Sequence, residues 1–239
     1  MNDEFVSFYK DTVTVNWQNI WVNHGHKLGD GLISPDNKYF FIKIPKNSSS
    51  FIVKHLSELG WYHSNFYDHK NLTSLFALRD PIERWVSGIV EYLFMYHMDC
   101  IDHLVSNPNA FDFWPILGEK LGIDLMLKHT TFDDHTEQQV VFLNGVDLNN
   151  CKPLFIDNKF NINFTKLLNE LGYKVDLANA EKVNSSDSGN STGRRKKLLK
   201  EIIQFIINRD YQRVATLRKF YDYDYGLINT INFFGETSV

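Results

Sequence analysis

The segment Tyr39 to Gly60, YFFIKIPKNSSSFIVKHLSELG, constrains the fold more than any other part of the chain. The run KYFFIKI is almost continuously apolar, as expected of a strand buried on both faces of a parallel sheet. The polar loop PKNSSS follows. Phe51, Ile52, Leu56 and Leu59 then mark one helical face, and Gly60 suits the left-handed residue that ends a helix. At the carboxyl end of such a strand, loop amides and the helix N-terminus converge on one spot, where an anion gains hydrogen bonds and the positive end of the helix dipole. Lys46 adds a point charge there, and Ser48, Ser49 and Ser50 add hydroxyl donors. The plainer alternative is a serine-capped helix beside a solvated lysine.

The same pattern recurs. TSLFAL (Thr73 to Leu78) reads as a second buried strand, and RDPIERWVSGIVEYLFMYH as a helix with Asp80 as N-cap, Pro81 at its first position and Glu83 two residues on. KPLFID (Lys152 to Asp157) reads as a third strand, with a helix near Asn163 to Leu171. SPDN (Ser34 to Asn37) is a turn signal. Strands alternating with helices predict a three-layer α/β fold, a central parallel sheet flanked by helices, in one domain spanning residues 1–239. Residues 1–33 read as an N-terminal extension. NSSDSGNSTGRRKK (Asn184 to Lys197) reads as a mobile basic loop before a last helix, Leu198 to Asn208. Tyr221, Tyr223 and Tyr225 alternate like a strand and are expected to pack in the core.

Composition sets limits on function. A formal charge of −4 over 239 residues gives no global basic field for nucleic acid or a membrane surface, so any anion site is local. Two cysteines, Cys100 and Cys151, do not make a disulfide scaffold. No apolar stretch approaches the roughly 20 residues that span a bilayer. The start MNDEFVSFYKDT lacks the basic-then-apolar pattern of a signal peptide, and the expectation is a soluble cytoplasmic protein.

The opening loop has no glycine and no Gly-Lys-Ser/Thr ending, whose hydroxyl would hold the magnesium bridging two phosphates in nucleotide triphosphatases. A sulfuryl group carries less charge than a terminal phosphoryl and can move without a bridging metal; no metal site is expected. Arg79 ends TSLFAL on the carboxyl edge where ligands of open α/β sheets bind. Ser87 lies two helical turns further on, at i,i+3 spacing from Arg84. Arg79 and Ser87 could hold a second phosphate away from the first.

These residues resemble the sulfotransferases that use 3′-phosphoadenosine-5′-phosphosulfate (PAPS), in particular the carbohydrate branch. SPDNKYFFIKIPKNSSSFI is similar to that branch's 5′-phosphosulfate loop. LRDPIERWVS is similar to its 3′-phosphate motif, as found in the uronyl and heparan sulfate 2-O-sulfotransferases. DHTEQQ (Asp134 to Gln139) resembles an acidic–His–x–x–Gln stretch in many members, and VNSS with FYDYDYGL resembles their C-terminal ending. The chain departs from the pattern at Asn47-Ser48, where relatives usually carry Thr with Ala or Gly. The resemblance implies a P-loop-NTPase-like sulfotransferase fold. It also implies PAPS as co-substrate, with Lys46, Asn47, Ser48, Ser49 and Ser50 at the 5′-phosphosulfate and Arg79 and Ser87 at the 3′-phosphate. The acceptor would be a hydroxyl, of a carbohydrate or another small molecule.

An attacking hydroxyl needs a base within hydrogen-bond reach. Candidates near the motifs are His55, His63, His69, Glu91 and His135. His69 precedes a strand of about seven residues at roughly 3.3 Å each, which predicts a position roughly 20 Å from the carboxyl edge. His63 ends GWYH, which reads as a short parallel strand delivering the histidine to that edge, and the related enzymes carry their histidine after a strand between the two motifs. His63 is therefore the expected base, with His69 and Glu91 ranked behind it and His135 assigned to the acceptor side. Arg194, Arg195 and Lys196 in GRRKK are expected to fold over the cofactor or an anionic substrate, because cations are otherwise disfavoured at a helix start. Trp85, Tyr92, Phe94 and Trp114 could stack on sugars. Two other functions fit part of the pattern: a divergent phosphate-loop kinase using Asp157 for a metal, and an inactive nucleotide-binding module.

Overall fold

The computed structural model describes residues 6–9, 12–15, 28–96, 134–180 and 191–236. These fall into two compact units, one of Met1–Asp80, Gln138–Val183 and Tyr223–Val239, the other of Pro81–Glu137 and Asn184–Asp222.

In the first unit, β1 (Val6–Tyr9) and β2 (Thr12–Val15) form a two-stranded antiparallel sheet. Five further strands, β3 (Asp30–Ile33), β4 (Tyr39–Ile42), β5 (Tyr62–Asn65), β6 (Thr73–Leu78) and β7 (Cys151–Phe155), make the main sheet in the order β5-β3-β4-β6-β7. β4, β6 and β7 are parallel, whereas β3 runs antiparallel to both of its neighbours. The sheet is therefore mixed, where strand–helix alternation predicts a parallel one. The cause is local. Ser34 Oγ accepts from the amides of Lys38 and Tyr39 and donates to Asp36, closing a tight reversal that lays β3 back on β4. Residues 30–33, expected in an N-terminal extension, thus supply a strand inside the sheet.

Both faces of this sheet are covered. Ile33, Phe40, Ile42 and Phe76 pack with Val140 of α3 (Gln139–Phe142) and Leu227 of α7 (Asp222–Glu236). Leu32, Phe41 and Leu75 pack instead with Ile52 and Leu56 of α1 (Ser49–Glu58) and Phe164 of α4 (Phe160–Glu170). The period-2 alternation of strand side chains builds both cores, so the first unit has three layers with its sheet in the middle.

The second unit contains α2 (Pro81–Tyr96), α5 (Ser191–Asn208) and α6 (Tyr211–Phe220), with α2 packed on both of the others. Trp85, Ile89 and Leu93 of α2 are buried, as are Leu199, Ile202, Ile203 and Ile206 of α5 and Leu217 of α6. Arg84, fully buried, donates to the carbonyls of Asp134 (3.0 Å) and Glu137, and the Tyr221 hydroxyl donates to the carbonyl of Thr136. Tyr221 ends a helix and does not alternate along a strand. The basic run also changes character: α5 begins at Ser191, so Arg194, Arg195, Lys196 and Lys197 stand in its first two turns and not in a loop. Residues 184–190 of the expected basic loop, Trp114 and Cys100 lie outside the described residues. Among the described residues no helix is long and apolar enough to cross a membrane.

Segment 134–137 crosses α2 so closely that a Cβ on Gly88 would come within 2.4 Å of the His135 carbonyl oxygen. Alanine in an exposed helix interior normally gains about 1 kcal/mol over glycine. Here the clash is with backbone, and overpacking of this kind costs about 1–3 kcal/mol. Gly88→Ala is thus expected to lower the thermal midpoint; a raised midpoint would contradict the close crossing.

Candidate anion-binding site

Between β4 and α1 the chain holds Lys46 at φ 64° and Ser48 at φ 53°, both left-handed and neither a glycine. Each such residue costs roughly 1–2 kcal/mol, comparable to what one fully buried aromatic or aliphatic side chain contributes. Phe51 and Ile52, buried one turn into α1, supply that compensation. Left-handed residues on either side of Asn47 form the kind of loop whose successive N–H groups make a concave anion cradle. Ser48 forms no side-chain cap on α1, and the first turn carries no acidic residue. The first-turn amides have no acceptor within the helix, and no carboxylate offsets the positive end of the dipole.

Asn47 does something else. It is 1% exposed, and its Nδ2 donates to the Ala77 carbonyl at 2.7 Å and to Gln139 Oε1 at 2.7 Å. Its own amide donates to the Ile44 carbonyl at 3.3 Å, and only its acceptor Oδ1 is buried without a partner. Expected among the anion contacts, Asn47 has every donor committed inside the protein. It fastens the loop to the end of β6.

That fastening brings two edges together. β4 and β6 pair in parallel with Phe41 opposite Leu75, so PKNSSS and Arg79 leave the sheet at the same carboxyl edge. The Arg79 amide donates to Gln139 Oε1 at 3.0 Å, and its carbonyl accepts from Gln139 Nε2 at 3.0 Å. Asp224 of α7, 1% exposed, accepts from the amides of Gln139 (3.0 Å) and Val140 (2.9 Å) and from Gln139 Nε2 (3.3 Å). The strand end is thereby fixed through its backbone, independently of the Arg79 side chain.

The base candidates divide. His63 lies mid-strand in β5, opposite Leu32, which is itself opposite Phe41; it is set back from the carboxyl edge and does not sit on it. Its side chain is exposed, with no hydrogen-bond partner among the described residues. The strand runs in the direction of β4, as expected, but pairs with the antiparallel β3 and starts at Tyr62. His69 stands near the start of β6, its carbonyl accepting from the Leu72 amide at 3.0 Å one residue before that strand begins. It follows a short 3-10 turn, Phe66–Asp68, that continues β5, and its Nε2 lies 2.8 Å from Ser64 Oγ while its ring stacks on Phe40. Residues 70–72 make only a tight turn between His69 and the start of β6. His55 pairs with Glu58 at 2.9 Å within α1.

Within the second unit, Ser87 Oγ donates to the Glu83 carbonyl at 3.0 Å. Glu91 is paired with Lys196 at 2.8 Å, and that ammonium also stands 5.3 Å from the Phe94 ring centre. His135 Nδ1 lies 3.1 Å from the Asp134 carboxylate. Asp157, which continues β7, is exposed and accepts from the Lys159 amide at 2.8 Å, as a turn-forming aspartate does. Burial pushes the Cys151 thiol up to about 12, and it donates to the Leu148 carbonyl; this cysteine is a packing residue.

No protein-family model, curated protein or solved structure matches the chain. Sequence reasoning passed over the roles of Gln139 and Asp224. The second had a signal: in FYDYDYGL an acidic residue stands three and seven residues before the buried Leu227 and Ile231, the spacing of one helical face, and a carboxylate on a core face needs buried donors.

Proposed function

We propose that the chain is a sulfotransferase that moves a sulfuryl group from PAPS to a hydroxyl, with a carbohydrate as the acceptor class. The observation that supports this best is the glycine-free loop held left-handed at Lys46 and Ser48 and fastened beside Arg79 at one sheet edge. Strained non-glycine backbone persists where its surroundings over-determine it, and such places are commonly binding sites. A concave set of amides, three serine hydroxyls and one lysine fit a phosphosulfate. The Arg79 guanidinium, on a strand end braced from behind, fits a separate phosphate.

In this reading the acceptor oxygen attacks sulfur in line. A new O–S bond forms as the bond from sulfur to the 5′-phosphate oxygen breaks, and the electron pair stays on that oxygen. Lys46 offsets the charge that grows there. The acceptor proton passes to His63, whose imidazole is open to solvent and uncommitted, whereas His69 and Glu91 have partners.

Arg79→Ala tests the assignment. Loss of charge-assisted hydrogen bonds is worth about 1.5–3 kcal/mol, hence roughly ten- to hundredfold weaker binding of 3′-phosphoadenosine-5′-phosphate. Adenosine 5′-phosphosulfate, which lacks the 3′-phosphate, should bind as before. Equal losses for both ligands in calorimetry would remove Arg79 from the phosphate site.

A further inference from the structure

The Gln139 side chain touches both halves of the proposed site. Its Oε1 accepts from Asn47 in the loop and from the Arg79 amide, and its Nε2 donates to the Arg79 carbonyl. Gln139 is itself anchored, since Asp224 accepts from its backbone amide and its Nε2. Both Gln139 and Asn47 are at most 1% exposed, so neither meets a ligand.

We infer that Gln139 is a positioning residue that sets the separation between the phosphosulfate loop and the Arg79 strand end, so that one ligand can engage both. The inference rests on the functional reading above. Its logic is that of a gauge block. The Asn47 tether holds the loop to the end of β6, and two hydrogen bonds from Gln139 hold the Arg79 backbone just past Leu78, where β6 ends. Gln139 supplies both constraints through a single amide, whose planar geometry fixes the distance between its oxygen and its nitrogen. Buried polar groups that are fully paired specify one arrangement in this way. A ligand that uses only the loop does not depend on that separation, whereas a ligand with phosphates at both ends does.

The test compares two ligands on three proteins, the wild type, Gln139→Ala and Asn47→Ala, by calorimetry, with far-ultraviolet circular dichroism to establish folding. Gln139→Ala is expected to weaken 3′-phosphoadenosine-5′-phosphate about tenfold or more, and to leave adenosine 5′-phosphosulfate within about twofold. Asn47→Ala breaks the loop side of the contact together with the loop's bond to the Ala77 carbonyl, and serves if Gln139→Ala does not fold; it is expected to weaken the doubly phosphorylated ligand more than adenosine 5′-phosphosulfate. On an Arg79→Ala background, Gln139→Ala should add little further loss for the doubly phosphorylated ligand, because the second contact is already gone. Equal weakening of both ligands, or of neither, overturns the positioning role and leaves the functional reading intact, since the wild type still binds both. A wild type that binds neither overturns the functional reading and this inference with it.

Discussion

Lys46→Ala is expected to slow sulfuryl transfer at least ~100-fold, the loss associated with removing one donor from a developing oxyanion. Alanine is the informative replacement because it carries a Cβ. At φ 64° it bears the same left-handed strain as lysine, so the loop backbone is disturbed little and the missing charge is what the rate reports. Affinity should fall less than rate, because the bridging oxygen gains most of its charge only as the S–O bond breaks. Lys46→Arg should recover part of the rate, since it restores the charge with a planar fork in place of a point donor. Single-turnover measurement with bound PAPS separates the two effects. A Lys46→Ala protein with wild-type turnover would reduce PKNSSS to an ordinary helix start.

His63→Ala is expected to lower the rate by roughly 10²–10⁴, the usual range for losing a positioned general base, while nucleotide affinity stays nearly unchanged. The acidic limb of the rate–pH profile should vanish or shift with it, because a base must be neutral to accept a proton, and activity through such a base is lost as pH falls. His69→Ala and Glu91→Ala, measured in parallel, should keep the limb. Their engagements give the reason: His69 is held by Ser64 and Phe40, and Glu91 by Lys196. Loss of the limb in His69→Ala alone would move the base to the other face of β5, where Ser64 would orient the imidazole. Full rate in all three variants would exclude a histidine or glutamate base between the two motifs.

Elements buried on both sides were the most legible. TSLFAL was read as a strand over the same residues that form β6, because a strand covered on both faces is apolar at every position. β3 escaped and β5 was legible only in part. β3 contains Gly31, where a side chain would collide with the Phe40 ring at 2.6 Å, so its apolar signal shrinks to Leu32 and Ile33. β5 was expected from GWYH, but it is an edge strand of sequence YHSN with three exposed residues, and its polar second half, Ser64 and Asn65, carried no strand signal. The start of α5 was masked by its chemistry. Serine, glycine and four cations argue against a helix there, but Leu199, Ile202, Ile203 and Ile206 bury a continuous stripe, and Lys196 finds Glu91. Packing outweighed propensity.

The loop residues of the candidate site could be listed from the sequence, but their different surroundings could not. Nothing local distinguishes Asn47 from its serine neighbours. Its inward turn is dictated by Gln139, 92 residues away, and by the Ala77 carbonyl. Gln139 in turn takes its position from Asp224, 85 residues further on. Contacts of that range are invisible to spacing rules, which compare residues within a few turns of each other.

Calorimetric titration of the wild-type chain with 3′-phosphoadenosine-5′-phosphate in the presence of a metal chelator tests the central claim most directly. Saturable one-to-one binding is expected without magnesium, roughly ten- to hundredfold tighter than for adenosine 5′-phosphate, which has nothing to offer Arg79. Equal affinity for the two nucleotides, or binding that appears only when magnesium is restored, would contradict a PAPS site and favour a phosphate-loop kinase.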